Sequence, residues 1–185
     1  MEFPDDLVIR FARAADVPSI LAFIRELAAY EKLADEVTAD EAALKSTLFG
    51  VRPAAEVLIA ELGGTRAASA LERSITGGAP VGFALFFESY STFLAKPGLY
   101  LEDLFVRPAA RGKGVGAALM SACARIAMQR NYGRFEWSVL DWNEPALRFY
   151  AALGSTQMAD WTVQRLTGDP LASLAGQWPH AVGKT

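Results

Sequence analysis

LYLEDLFVRPAARGKGVGAALMSACARIAMQRN, residues 99–131, reads as a strand, a glycine-rich turn and a long amphipathic helix. Leu99-Tyr100-Leu101-Glu102-Asp103-Leu104-Phe105-Val106 is rich in aromatic and branched residues, which fit a pleated surface. Pro108 stops the strand, because proline has no N–H to give to a ladder. In Arg111-Gly112-Lys113-Gly114-Val115-Gly116, alternate glycines permit backbone conformations that a β-carbon forbids. Beyond the turn, Val115, Leu119, Ala122, Cys123, Ile126 and Ala127 recur at spacings of three and four, a helical period. Such a turn aims unpaired N–H groups at one spot, at the positive end of the helix dipole, and so forms an anion seat suited to phosphate. Arg111 and Lys113 add cations. Neither G-x-x-x-x-G-K-[ST] nor G-x-G-x-x-G fits this turn.

The rest of the chain narrows the chemistry. Its 185 residues suit one domain with a full core, and 52% hydrophobic against 21% charged residues is a globular profile. A net charge of −3 gives no global basic field for nucleic acid, and no apolar run is long enough for a membrane span. The expectation is therefore no nucleic-acid and no membrane partner. The single cysteine, Cys123, fits a reducing cytoplasm and lies on the apolar helix face as a small hydrophobe. His180 is the only histidine, so a histidine-based triad or a clustered metal site has no material, and no metal is expected.

In chain order, residues 7–11 read as a first strand. Asp16 is a candidate N-cap with Pro18 in the first turn of a helix running to about Tyr30. Thr38-Ala39-Asp40-Glu41 is a capping-box pattern that opens a second helix to about Leu48. Residues 57–62 form a strand, 65–79 a surface excursion, 80–90 a long aromatic strand, and 91–98 a loop into the central strand. After the central helix come a strand at 134–140 and a short helix capped by Asn143 and closed by Gly154. A last strand at 161–167 and a terminal helix opened by Asp169-Pro170 finish the chain. The order is β-α-α-β-β-β-α-β-α-β, a mixed α/β sheet. Its early strands form an antiparallel meander, and a helical crossover joins parallel neighbours at residues 99 and 134.

Arg111, Gly114 and Gly116 fill [RQ]-x-x-G-x-[GA], which resembles the acetyl-CoA pyrophosphate loop of GNAT N-acetyltransferases. The element order resembles the GNAT fold from about residue 7 to 167, with 168–185 as a tail of the same single domain. Local text is similar to the diamine (spermidine/spermine) and thialysine acetyltransferase branch. It comprises Phe23-Ile24-Arg25-Glu26-Leu27-Ala28-Ala29-Tyr30-Glu31, Leu101-Glu102-Asp103-Leu104-Phe105-Val106, Asp141-Trp142-Asn143-Glu144-Pro145, and Arg148-Phe149-Tyr150 through Gly154.

The resemblance implies acetyl transfer from acetyl-CoA to a primary amine of a small molecule, by direct attack in a ternary complex. It implies that the diphosphate lies on Arg111, Gly112, Lys113, Gly114, Val115 and Gly116. The pantetheine arm would lie along the central strand at Leu104, Phe105 and Val106, with Asn143 and Tyr150 also touching it. Glu102 is the implied base or water-positioner, and Tyr150 the acid that protonates the leaving thiolate. Adjacent strand residues face opposite ways, so only one of Glu102 and Asp103 lines the site unless the strand bulges. Glu26, Tyr30, Glu31, Glu102 and Asp103 are the expected amine-binding residues, while Glu36 reads as a solvated helix position. The branch's diamine enzymes carry an acidic loop before the central strand; here Tyr90-Ser91-Thr92-Phe93 holds no acid, which leaves room for a smaller, lysine-like amine. The resemblance also implies a homodimer. A non-catalytic acyl-CoA-binding module, a phosphate- or nucleotide-binding module, and a protein or peptide N-acetyltransferase stand as alternatives.

Overall fold

The computed structural model describes residues 3–63 and 78–177. It comprises two compact units, Met1–Ser138 and Val139–Thr185. The surface excursion expected at 65–79 lies, up to residue 77, outside the described residues.

In the first unit the elements run β1 (Val8–Phe11), α1 (Val17–Tyr30), α2 (Glu41–Phe49), β2 (Glu56–Leu62), β3 (Ala79–Ser91), β4 (Lys96–Val106), α3 (Val115–Gln129) and β5 (Phe135–Trp137). The sheet order is β1-β2-β3-β4-β5. The first four strands form the antiparallel meander, and β5 returns parallel to β4 through α3. Parallel neighbours need such a crossover, which is why the 3.6-residue period had to follow the central strand. The second unit holds α4 (Glu144–Ala152) and α5 (Gly168–Gly176).

Alternation sorts the sheet into two faces. Val57, Ile59, Phe83 and Phe105 form one core with Val17, Ile20, Leu21 and Phe23 of α1 and with Leu44 and Leu48 of α2. Phe23 stacks on Phe83 with ring centroids 5.4 Å apart and 10° between planes. The intervening Leu58, Ala60, Ala84 and Phe86 are buried on the other face, toward α3. There Val115, Leu119 and Cys123 are almost fully enclosed. Burial pushes the Cys123 thiol up to about 12, so it is the inert hydrophobe that the helix face required.

Several local expectations are corrected. Asp16 does stand at the N-cap position of α1, with Pro18 in the first turn, but its side chain makes no capping bond to that helix; its carboxylate accepts from Arg10 and from the Arg13 N–H. Arg10 outcompetes the cap because a bidentate ion pair is the stronger interaction. Asp40, not Thr38, caps α2, accepting from the Ala43 N–H at 2.7 Å. β4 begins at Lys96, so the hairpin loop is shorter than residues 91–98. β5 spans only Phe135–Trp137. Residues 161–167 form no strand: Trp161 and Val163 are exposed and take no ladder partner. Aromatic and branched residues favour strands, but a strand needs a neighbour before it exists.

Candidate active site

Two irregularities in β4 make the site. The first is a bulge. Leu85 lies opposite Asp103 and Phe86 lies opposite Leu101, so Glu102 has no partner in β3. An extra residue inverts the alternation beyond it. Leu99 and Leu101 therefore share the α3 face with Phe86, whereas Asp103 joins Leu85, Phe83 and Phe105 on the α1 face. The bulge leaves Glu102 unpaired in the ladder next to Asp103, whose carboxyl feels the Glu102 charge. Sequence reasoning left that possibility open and had no signal to decide it.

The second irregularity is how early β4 loses β5 as a neighbour. Their pairing covers only Leu99↔Phe135, Tyr100↔Glu136 and Leu101↔Trp137. β5 ends at Trp137, and past Leu101, among the described residues, 102–106 have no ladder partner on that side. The Arg107 N–H donates to the Val81 carbonyl at 2.8 Å. Counting back by twos, Phe105 and Asp103 also turn their main-chain groups toward β3. Leu104 and Val106 thus present N–H and C=O to the open edge, a template for one more extended chain.

β4 leads through a short 3-10 turn at Pro108–Ala110 into the glycine turn. Gly112 and Gly114 adopt φ of 74° and 78°, the left-handed region that a side chain strains. Gly114 is the N-cap of α3, and its carbonyl accepts from Ala118 N–H at 2.9 Å. Among the described residues no acceptor takes the N–H of Gly112 or Gly114, and Gly116 lies in the first helical turn, where N–H groups lack a partner four residues back. A β-carbon built on Gly112 would meet nothing within 4 Å, so the main chain there is open to approach. Lys113 is exposed beside it.

The acidic side of the site gathers Glu31, from the end of α1, with Glu102 and Asp103. Burial first, then the charges of Glu102 and Glu31, push the Asp103 carboxyl up to about 6. Burial also raises the Glu31 carboxyl above its ordinary value. Glu102 is exposed, while Asp103 is half-buried and has no cationic partner among the described residues. Glu26 does not join them. Its carboxylate is held by Arg107 through Nε at 3.1 Å and a terminal nitrogen at 2.7 Å. Arg107 also lies over the Phe23 ring at 4.7 Å and donates to the Pro80 carbonyl. Sequence reasoning passed over Arg107, whose role as the neutraliser of Glu26 depends on the pairing of distant elements. Tyr30 meets Arg111, whose guanidinium carbon lies 5.0 Å from its ring centroid and 5.7 Å from that of Phe105. Arg111 Nε donates to the Val106 carbonyl at 2.9 Å.

Asn143 and Tyr150 belong to the second unit. Asn143 is buried and caps α4, its side-chain oxygen accepting from the Ala146 N–H at 3.3 Å. Tyr150 sits on α4 with its ring 5.2 Å from Phe149. Gly154, at φ 85°, follows the helix as expected.

The model of the acetyltransferase (GNAT) family matches residues 52–154. The thialysine N-epsilon-acetyltransferase of Bos taurus is 36% identical over 174 residues, covering 92% of this chain and 98% of that protein. The L-ornithine N5-acetyltransferase of Arabidopsis thaliana is 34% identical over 197 residues, covering 90% and 86%. Among solved structures, an integron cassette protein of V. cholerae superposes with a TM-score of 0.71 at 24% identity, covering 93% of this chain and 99% of that one. An aminoglycoside acetyltransferase from an uncultured soil metagenomic sample gives 0.68 at 20% identity, covering 90% and 100%. The last two speak for the fold alone. With a central strand unpaired on one side from residue 102, a glycine turn and whole-length kinship to enzymes of this kind, the chain belongs to the acetyltransferase (GNAT) family, whose co-substrate is acetyl-CoA, and is an N-acetyltransferase.

Proposed function

We propose that this enzyme acetylates the primary amine of a small, short-armed substrate of the lysine-analogue or diamine type, by direct attack within a ternary complex. The observation that carries the reading is the open edge of β4. It runs from the last paired residue, Leu101, to the glycine turn, with the carboxylates of Glu31, Glu102 and Asp103 beside it. Acetyl-CoA supplies an activated acetyl thioester. The main-chain groups of Leu104 and Val106 hold its arm, with Phe105 between them, and the turn from Arg111 to Gly116 holds the diphosphate; the sequence resemblance adds Asn143 as a polar contact.

An alkyl amine arrives as ammonium, with a pKa of about 10.4, and must lose a proton before it can attack. The carboxylate pair Glu102 and Asp103 attracts the cation and takes that proton directly or through water. Asp103, raised to about 6, is better matched to the task than an ordinary carboxylate. The amine nitrogen bonds to the acetyl carbonyl carbon, and the Leu104 N–H stabilises the oxyanion. The carbon–sulfur bond then breaks, and Tyr150 gives its phenolic proton to the departing thiolate.

Charge placement favours a short substrate. Glu26 is neutralised by Arg107, and the β3–β4 hairpin offers no acid at Tyr90, Ser91, Thr92 or Phe93. The remaining carboxylates gather in one place instead of spacing out along an extended polycation. Named relatives that act on thialysine and ornithine have substrates of this compact kind. We expect a homodimer, measurable by sedimentation. The test of function is thiol release from acetyl-CoA across lysine analogues, ornithine, short diamines, spermidine, spermine, aminoglycosides and peptides. The proposal expects the highest kcat/KM on the amino-acid amines and short diamines. Preference for spermine or for peptides overturns the substrate class, and no turnover on any amine overturns catalysis.

A further inference from the structure

Arg111 stands where the cofactor arm must go. Its Nε donates to the Val106 carbonyl at 2.9 Å, one of the acceptors that the open edge offers to an added chain. Its guanidinium lies over Tyr30 and Phe105. Arg107, four residues earlier, is anchored by a carboxylate. Arg111 is exposed and, among the described residues, no carboxylate pairs with it. A guanidinium held by one carbonyl and two ring faces, at the mouth of a diphosphate seat, has a stronger partner within reach of its own turn.

Resting on the acetyl-CoA reading above, we propose that Arg111 is an exchangeable latch on the β4 edge. Without ligand it occupies the Val106 carbonyl and covers Tyr30. When the diphosphate settles on the glycine turn, the guanidinium moves to the anion. The carbonyl is then released to the pantetheine amide, and Tyr30 is uncovered beside Glu31. Binding of the phosphate half therefore promotes binding of the arm, and the amine side of the site is completed last.

The coupling is measurable with the cofactor cut in two: pantetheine as the arm and 3′-phosphoadenosine 5′-diphosphate as the phosphate half. The readout is titration of the Leu104 and Val106 amide resonances in the full chain. A net hydrogen bond to be displaced corresponds to about fivefold in affinity. Wild-type protein should bind pantetheine about fivefold tighter when the nucleotide is saturating. Arg111→Met, whose folding the same spectra check, should bind pantetheine at the tighter level with or without nucleotide. It should also bind the nucleotide more weakly than wild type does. Equal pantetheine affinity in all four conditions, or looser binding by Arg111→Met, overturns the latch and leaves the cofactor reading intact. If pantetheine moves neither amide in any condition, the cofactor reading falls and the latch with it.

Discussion

Asp103 stands across the ladder from Leu85, so its carboxyl lies on the sheet face that carries Phe83 and Phe105. Nothing cationic among the described residues offsets it there, and its pKa rises from 3.8 to about 6. A carboxyl more basic in the folded chain binds more protons folded than unfolded between those two values. Stability is thus highest below about pH 4 as far as this group is concerned, and is lost as pH rises through 6. Asp103→Asn should therefore stabilise the protein by about 1–2 kcal/mol at pH 8 and by almost nothing at pH 4, measured by urea denaturation. The same change should depress kcat by about 100-fold, the usual scale for a lost general base. A variant no more stable than wild type at pH 8 would mean that the carboxylate is well solvated.

The charge of Glu102 helps to raise Asp103, and that sets a sign for a second variant. If Asp103 takes the proton, Glu102→Gln removes a neighbouring negative charge and lowers the Asp103 pKa. The acidic limb of the kcat/KM profile then moves to lower pH. If Glu102 itself is the base, that limb disappears and the rate rises only as the free amine appears, at higher pH. One pH profile of Glu102→Gln against wild type separates the two assignments.

Much of this molecule could be read before it was seen. The crossover from β4 through α3 to β5 followed from one change of hydrophobic period, and the positive φ values of Gly112 and Gly114 followed from the glycine spacing. What could not be read was any feature set by pairing between distant segments. The bulge at Glu102 depends on which β3 residue faces which β4 residue. The fate of Glu26 depends on Arg107, 81 positions away. Asp16 was legible as the N-cap position of α1 because caps are local, but its side chain is spent on Arg10, whose other partner, Glu61, comes from β2. Residues 161–167 have the composition of a strand, yet composition supplies no neighbour.

That Arg10 junction gives a stability test far from the chemistry. Arg10 holds Asp16 at 2.7 and 2.8 Å and Glu61 at 2.6 and 3.0 Å, with both acids largely buried. The guanidinium beside it holds the Asp16 carboxyl below its ordinary value. Its contribution is present above about pH 4 and is lost as pH falls through the depressed folded value. Arg10→Met should destabilise by about 3 kcal/mol at pH 7, because it strands two buried carboxylates, and by less at pH 3. Equal loss at both pH values would point to lost packing instead of lost charge.

Gly114 tests the diphosphate seat. Its φ of 78° costs a β-carbon about 1–2 kcal/mol of strain, so Gly114→Ala should be folded but less stable by that amount. Relief of the strain reorients the N–H groups of the turn. The Kd for CoA should therefore rise at least tenfold, while pantetheine, which lacks the diphosphate, should bind as before. Calorimetry with both ligands checks this, and parallel weakening of the two would place the damage on the β4 edge instead.

Tyr150 isolates the last proton. A thiol with a pKa near 8.5 leaves poorly as a bare thiolate in a site lined by carboxylates, and a phenol of pKa near 10 is a serviceable donor over one hydrogen bond. Tyr150→Phe keeps the ring that packs 5.2 Å from Phe149 and removes only the hydroxyl. An interaction made only at the transition state lowers kcat and kcat/KM together and leaves ground-state binding alone. The expected result is a kcat lower by about 100-fold, with the Kd for CoA within about twofold of wild type. The defect should shrink with an acetyl thioester whose thiol is more acidic, because a better leaving group needs less protonation. A defect of the same size for both thioesters would assign Tyr150 to positioning and leave the thiolate to take its proton from water.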